Sequence, residues 1–85
     1  MNPWYVYMVR CSKGALYTGI STDVPHRIEM HNSGKGSKAV KALGLPVKLM
    51  FSKLVGSKSQ ASKIEIKLKR LPKIKKEEMI KLWSM

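Results

Sequence analysis

The stretch WYVYMVRCSKGALYTG, residues 4–19, decides the fold because it holds two strand-like segments around a turn. Trp4–Cys11 is rich in aromatic and β-branched residues, which favours a β-strand, and Ala15–Gly19 reads as its returning partner. The intervening Ser12-Lys13-Gly14 segment ends in the residue that turns most often require. The chain is therefore predicted to begin with an antiparallel hairpin.

Alternation of side chains along a strand places Tyr5 and Tyr7 on the same face of this hairpin. With the turn centred on Lys13, Tyr7 lies opposite Gly19 and diagonal to Tyr17. Diagonal neighbours across a strand pair lie ~7 Å apart, within reach of aromatic side chains. The hairpin is therefore expected to bring the two tyrosines into one patch.

Helical and strand patterns alternate through the rest of the chain. The first predicted helix is capped by Thr22 or Asp23, has Pro25 in its first turn and ends near 32–34. A turn of helix at 39–43 and a strand at 47–54 follow. The next helix begins with the Ser57 and Gln60 capping box and ends at Pro72, and a last helix spans 75–83. We expect one α+β domain over residues 1–85, with a three-stranded antiparallel sheet flanked by helices in the order β-β-α-β-α-α.

Charge separates this chain from an ordinary small domain. Seventeen lysines and arginines against five acids give a net charge of +12 over 85 residues. A field of this sign attracts polyanions, so nucleic acid is the expected partner. An anionic membrane surface is less favoured, because the lysines do not form a basic amphipathic helix with an aromatic face. The alternative is a basic, solvated surface with no partner.

The remaining composition predicts a cytoplasmic protein. Cys11 is the single cysteine, so no internal disulfide can form, and this suits a reducing compartment. No apolar run reaches the 18 residues of a membrane span, and the apolar segment 4–9 is too short and too close to the start for a secretory leader.

Several reactive side chains follow the tyrosines. Arg27 and His31 are four residues apart, so they share one face of the predicted helix. Glu65 is the only acid between Glu29 and Glu77. Two phenols, a guanidinium, an imidazole and a carboxylate are the groups needed to cut a phosphodiester with one metal ion. Each also has a structural interpretation: strand aromatics, a solvated arginine, a histidine at a helix end, and an acid paired with Lys69.

The chain resembles the GIY-YIG endonucleases at four places. In chain order, Tyr5-Val6-Tyr7 and Tyr17-Thr18-Gly19 look like the paired triplets of that family, Arg27 looks like its helix arginine, and Glu65 looks like its acidic metal ligand. The segments 17–23 and 31–38 look especially like the small stand-alone bacterial members of that family. The chain departs from the family at two places. Ile20 stands where many members have lysine, and Ala39-Val40-Lys41 stands where stand-alone members often have tyrosine, threonine and arginine.

The resemblance implies roles for the matched residues. Glu65 would hold a single Mg²⁺ or Mn²⁺, and Arg27 would bind the phosphate. Tyr7 or Tyr17 would orient the attacking water or accept its proton, and His31 would assist that transfer or bind phosphate. Basic residues around the loop after the first helix are expected to contact nucleic acid: Lys35, Lys38 and Lys41.

The function expected from these observations is that of a hydrolase, a metal-dependent endonuclease that cleaves DNA phosphodiester bonds in DNA repair or nucleic-acid processing. The alternative is a weakly active or inactive DNA- or RNA-binding module of the same fold, acting within a repair complex. DNA is favoured over RNA as the partner. A protein partner that supplies specificity, and either a monomer or a homodimer, are compatible with the sequence.

Overall fold

The computed structural model describes residues 2–83. Its elements are β1 (Trp4–Arg10), β2 (Leu16–Ser21), α1 (Val24–Asn32), α2 (Lys38–Leu43), β3 (Lys48–Gly56), α3 (Lys58–Arg70) and α4 (Lys73–Trp83). The predicted α+β class and element order are confirmed, and the turn expected at 39–43 forms the short helix α2. In the part of the chain described, no helix has the length and apolar character needed to cross a membrane.

Helix boundaries follow local capping chemistry. Asp23, rather than Thr22, caps α1, and its carboxylate accepts a hydrogen bond from the His26 backbone N–H at 3.2 Å. The capping box predicted for α3 is present. The last helix begins at Lys73, two residues earlier than predicted, because the Pro72 carbonyl accepts backbone hydrogen bonds from the next turn. Pro72 therefore separates two helices without a loop between them.

The sheet is antiparallel with strand order β2-β1-β3, so β1 is its central strand. The register places Tyr7 opposite Gly19 and Val9 opposite Tyr17, as the hairpin analysis predicts. Alternate β1 residues enter different cores. Tyr7 and Val9 lie with residues of α1 and α2, whereas Val6 and Met8 lie with residues of α3 and α4. Burial on both faces makes β1 the element against which all the others are positioned.

A partly exposed ion pair ties the last helix to the hairpin. Both terminal nitrogens of the Arg10 guanidinium donate to the Glu77 carboxylate, with one N···O distance of 2.9 Å, and Arg10 also donates to the Gly14 carbonyl at 3.2 Å. The shared hydrogen bonds raise the pKa of Arg10 and lower the pKa of Glu77. The two partners are 67 residues apart, and the sequence analysis did not reveal this pair.

The end of α1 is fixed by a side chain that mimics a strand neighbour. Asn32 accepts a hydrogen bond from the Val47 N–H at 2.7 Å and donates to the Val47 carbonyl at 3.3 Å. This pair joins α1 to the segment that enters β3. Because His31 precedes Asn32 directly, the same contact helps to set the position of His31 against the sheet.

We predict that Asn32→Ala lowers the free energy of unfolding by about 1–2 kcal/mol, because it leaves the buried Val47 N–H without its acceptor. Urea denaturation followed by circular dichroism measures the change. Ser33→Ala is the matched control, since its hydroxyl bonds only the exposed end of the same helix, at the Met30 carbonyl. Equal losses in the two variants would contradict the role assigned to Asn32.

Candidate active site

The site is organised around a hydrogen bond between two buried side chains. Tyr7 on β1 and His31 on α1 each have only 1% of their surface exposed. The Tyr7 Oη lies 2.9 Å from His31 Nε2, and the ring centroids are 6.2 Å apart. Val24, buried two turns before His31 on the same face of α1, belongs to the same core as Tyr7. The apolar stripe of α1 thus presses the imidazole against the sheet.

Two glycines make room for this pair. A Cβ at position 19 would lie 2.6 Å from Tyr7 Cζ, which is closer than real Cβ atoms come to such neighbours. A Cβ at position 36 would overlap His31 Nδ1. Gly19 belongs to the second tyrosine triplet, but Gly36 lies in a loop for which the sequence suggested only flexibility and phosphate contact. The close approach of Gly36 to His31 is a feature that sequence reasoning missed.

Tyr17 on β2 and Glu65 on α3 form the side of the site next to the edge strand. The Tyr17 ring meets His31 edge-on, with centroids 5.8 Å apart. Because β2 is an edge strand, α3 can pack along it, and Lys69 of α3 places its ammonium 5.6 Å from the Tyr17 ring centroid. The same ammonium lies 3.6 Å from Glu65 Oε2, in the i,i+4 pair that the sequence allowed. Lys69 is therefore a site neighbour that was not predicted.

Arg27, one turn before His31 on α1, affects the pKa of both buried side chains. Burial raises the pKa of Tyr7, and the nearby Arg27 guanidinium opposes that shift. The nearby Tyr17 and Glu65 add smaller upward effects on the same pKa. Burial, and then the charge of Arg27, lowers the pKa of His31. These interactions show that all five residues predicted for the site lie in one neighbourhood.

The shifts define the protonation states of the buried pair. At neutral pH Tyr7 is an uncharged phenol and His31 an uncharged imidazole. A neutral imidazole accepts only through its unprotonated nitrogen, so Tyr7 donates to His31 Nε2 when the ring proton is on Nδ1. Within the described part of the chain, Nδ1 itself is buried without a hydrogen-bond partner.

Exposure separates the five residues into two layers. Tyr7 and His31 are buried, whereas Tyr17, Arg27 and Glu65 are half-buried and reach the surface. Glu65 keeps about a fifth of its side chain exposed, at 21%. Tyr17, Arg27 and Glu65 are therefore accessible from the surface, while Tyr7 and His31 are not.

The donor set fits a loosely held divalent ion. Glu65 is the only carboxylate of the five, and within residues 2–83 no group of three or more histidines, cysteines and acids is placed to hold a metal. Mg²⁺ and Mn²⁺ are bound by oxygen ligands, and Mg²⁺ in particular keeps several of its waters and uses one or two carboxylates together with substrate phosphates. One partly exposed carboxylate with cationic side chains nearby suits that mode and does not suit a tightly bound structural metal.

The remaining predicted residues lie on or near the loop between α1 and α2. Lys35, Lys38 and Lys41 are all exposed. The loop between α1 and α2 contains Gly36, which lies against His31. The three exposed lysines therefore extend from the site toward solvent. Val40 is fully buried in the core, which gives that departure from the family pattern a packing role.

Ile20 does not face the site. It pairs with Val6 across the hairpin and packs against the core on the other side of the sheet. A residue at this position is therefore directed away from Tyr7 and Tyr17, which occupy the opposite face. The replacement of a lysine by Ile20 leaves the grouping of the five residues intact.

These features define a GIY-YIG-type nuclease domain: a hairpin with two tyrosine triplets, a helix that supplies Arg27 and His31, and Glu65 on a later helix. The family model described as the GIY-YIG catalytic domain matches residues 3–78, and the chain belongs to this family.

Its relatives within the family are UPF0213 proteins. The chain is 48% identical to a UPF0213 protein of Citrobacter koseri over 80 residues, which cover 94% of this chain and 79% of the relative. The UPF0213 protein YhbQ of Salmonella typhimurium is 45% identical with the same coverage. The solution NMR structure of a UPF0213 protein from Bacillus halodurans has a TM-score of 0.59 and 40% identity, covering 93% of this chain and 83% of that one. These names state no activity, so the functional argument depends on the site.

We predict that Gly36→Ala displaces the His31 ring and lowers the free energy of unfolding by about 1–3 kcal/mol, as overpacking in a core does. Heteronuclear NMR should show changed His31 and Tyr7 ring signals, and urea denaturation gives the stability change. The exposed Ser33→Ala variant is the control and should leave both sets of signals in place. Unchanged ring signals in Gly36→Ala would contradict the contact between Gly36 and His31.

Proposed function

We propose that this protein is an endonuclease that hydrolyses DNA phosphodiester bonds with a single Mg²⁺ or Mn²⁺, in DNA repair or nucleic-acid processing in the cytoplasm. The observation that carries the proposal is the grouping of Tyr17, Arg27 and Glu65 at the surface over the buried Tyr7–His31 pair. The net charge of +12 supports a polyanionic substrate.

Arg27 is the phosphate-binding group of this proposal. Its planar guanidinium can donate two parallel hydrogen bonds to phosphate oxygens. Half-burial strengthens this attraction, since the effective dielectric constant is lower than in water.

Tyr17 is the phenol that meets the attacking water. Both tyrosines belong to the motif, but Tyr7 is 1% exposed and hydrogen-bonded to His31, whereas Tyr17 is half-buried. We assign to Tyr17 the orientation of the water: the phenol oxygen accepts a hydrogen bond from it, and the proton of the water passes to solvent as the new P–O bond forms and the P–O bond to the leaving oxygen breaks. Tyr7 and His31 are positioning residues that hold Arg27 and the Tyr17 ring.

Glu65 would hold the divalent ion. When bound, such an ion stabilises the negative charge that develops on the phosphate and makes a coordinated water more acidic. Before that, Glu65 is paired with Lys69, whose ammonium offsets the carboxylate charge next to Tyr17. A phosphate approaching this face therefore meets Arg27 and Lys69 together with the acid that holds the ion.

We predict that Glu65→Gln lowers the single-turnover cleavage rate at least about 100-fold, as removal of one transition-state group commonly does. Tyr17→Phe and Arg27→Met should also reduce the rate strongly. The assay uses end-labelled single-stranded, duplex and branched DNA, and RNA, with Mg²⁺ or Mn²⁺. Glu29→Gln, an exposed acid on α1, is the matched control and should retain the wild-type rate.

Binding measurements distinguish the proposal from its alternative. Glu65→Gln should keep full DNA affinity, because it removes a negative charge from the face that meets the phosphates. Cleavage that persists in Glu65→Gln would rule out the assigned site. Tight binding by the wild-type protein without cleavage in either metal would instead identify a nucleic-acid-binding module of the same fold.

A further inference from the structure

A cavity of about 360 Å³ opens at the end of the sheet beside Trp4. It lies where β1 begins and β3 ends, and its lining residues are Asn2, Pro3, Trp4, Gly56, Ser57 and Lys58. The five candidate active-site residues do not line it. Its size is at the lower end of the range for small-molecule cavities, which suits a single flat ring system and not a large ligand.

Trp4 and Lys58 give this cavity a defined chemistry. The Trp4 side chain is half-buried, so it is held by the protein while part of its surface stays accessible. The Lys58 ammonium lies 5.4 Å from its ring centroid. The capping box occupies the side chains of Ser57 and Gln60, so recognition in this cavity falls to the aromatic ring and the ammonium.

Gly56 shapes the wall next to them. Its φ of +134° is one that other residues rarely adopt, and a Cβ there would lie 2.8 Å from Gln60 Oε1. The glycine thus allows β3 to pass directly into the capping box of α3. The wall of the cavity is therefore set by backbone geometry.

The chain contains a second lysine–tryptophan pair, whose surroundings differ from those of Trp4 and Lys58. Lys53 lies 4.5 Å from the Trp83 ring centroid, but that ring packs edge-on against the core residue Phe51 at 4.8 Å. Trp83 does not line the cavity. The two pairs share their residue types, so one serves as a control for the other.

We propose that the Trp4 cavity binds an unpaired nucleobase, which stacks on the Trp4 ring as the Lys58 ammonium moves from over that ring to a neighbouring phosphate. Aromatic rings bind bases of single strands because every base has a π-face, and lysines add the salt-sensitive attraction for the backbone. The net charge of +12 favours this occupant over a neutral or cationic one. The proposal rests on the proposed nuclease function and names its substrate class.

The position of the cavity connects it to the candidate active site. Trp4 is three residues before Tyr7 on the same strand, which corresponds to about 10 Å along β1. Alternation along β1 places Trp4 and Tyr7 on opposite faces, so a nucleic-acid chain contacting both would pass around the end of the sheet. A paired duplex cannot place a base in the cavity without opening. The substrate class is therefore DNA with unpaired nucleotides next to the cleaved bond.

The test measures binding in EDTA, where cleavage plays no part. Fluorescence anisotropy with a labelled oligothymidylate and a duplex of equal length compares the wild type with Trp4→Leu, Trp4→Phe and Lys58→Met. We expect Trp4→Leu to weaken binding of the single strand by about 5- to 100-fold and to leave duplex binding unchanged. Trp4→Phe should retain most of the affinity, and Lys58→Met should reduce the salt slope for the single strand by about 0.7.

Lys53→Met is the matched control, because it removes the same charge from the pair that does not line the cavity. Should Trp4→Leu not fold, quenching of Trp4 emission by the oligothymidylate in a Trp83→Phe protein gives the same answer. Equal losses for single strand and duplex, absence of quenching, or equal effects of Lys53→Met and Lys58→Met would overturn the proposal. Because the assay needs no metal, loss of cleavage in the Glu65 experiment leaves its result unaffected.

Discussion

The hydrogen bond between Tyr7 and His31 is the constraint around which this molecule is arranged. Each side chain is almost fully buried, and a buried polar group without a partner costs about 1–3 kcal/mol. Pairing the two groups removes much of that cost and fixes α1 at a set distance from the central strand. Gly19 and Gly36 approach the pair so closely that no side chain fits at either position. The charge of Arg27 lowers the pKa of His31 and opposes the rise in the pKa of Tyr7.

The two-sided burial of β1 explains how a chain of 85 residues builds this site. One face of the strand supplies Tyr7, and the other supplies the surface on which α3 packs. Because β2 is an edge strand, a side chain on α3 can reach past it to the sheet face that carries Tyr7 and Tyr17. Glu65 and Lys69 use this route, while the ion pair of Arg10 with Glu77 holds α4 to the hairpin.

Much of this arrangement could be predicted from local rules. Strand alternation and the position of the turn gave the pairing of Tyr7 with Gly19, and helical spacing placed Arg27 and His31 on one face. The same alternation puts Ile20 on the opposite face, so its chemistry bears less on the site than the family comparison suggested.

Other features depend on how distant segments meet, which a single sequence does not encode locally. Arg10 and Glu77 are 67 residues apart, and Asn32 joins Val47 through the path of the intervening loop. The approach of Gly36 to His31 depends on that same path. The difference in burial between the two motif tyrosines arises from packing, yet it decides which of them can meet a water.

The central claim is that a neutral Tyr7–His31 pair supports a phosphodiester-cleaving surface. Single-turnover cleavage of a single-stranded DNA measured against pH, for the wild type and His31→Gln, tests this most directly. Protonated His31 cannot accept the hydrogen bond from Tyr7, and its positive charge repels Arg27. Burial, and then the charge of Arg27, lowers the pKa of His31. The account predicts an acid-side fall in the wild-type rate, at pH values below those of an ordinary histidine, that is absent from a slower His31→Gln enzyme. The same acid-side fall in both proteins, or no cleavage by the wild type, would contradict it.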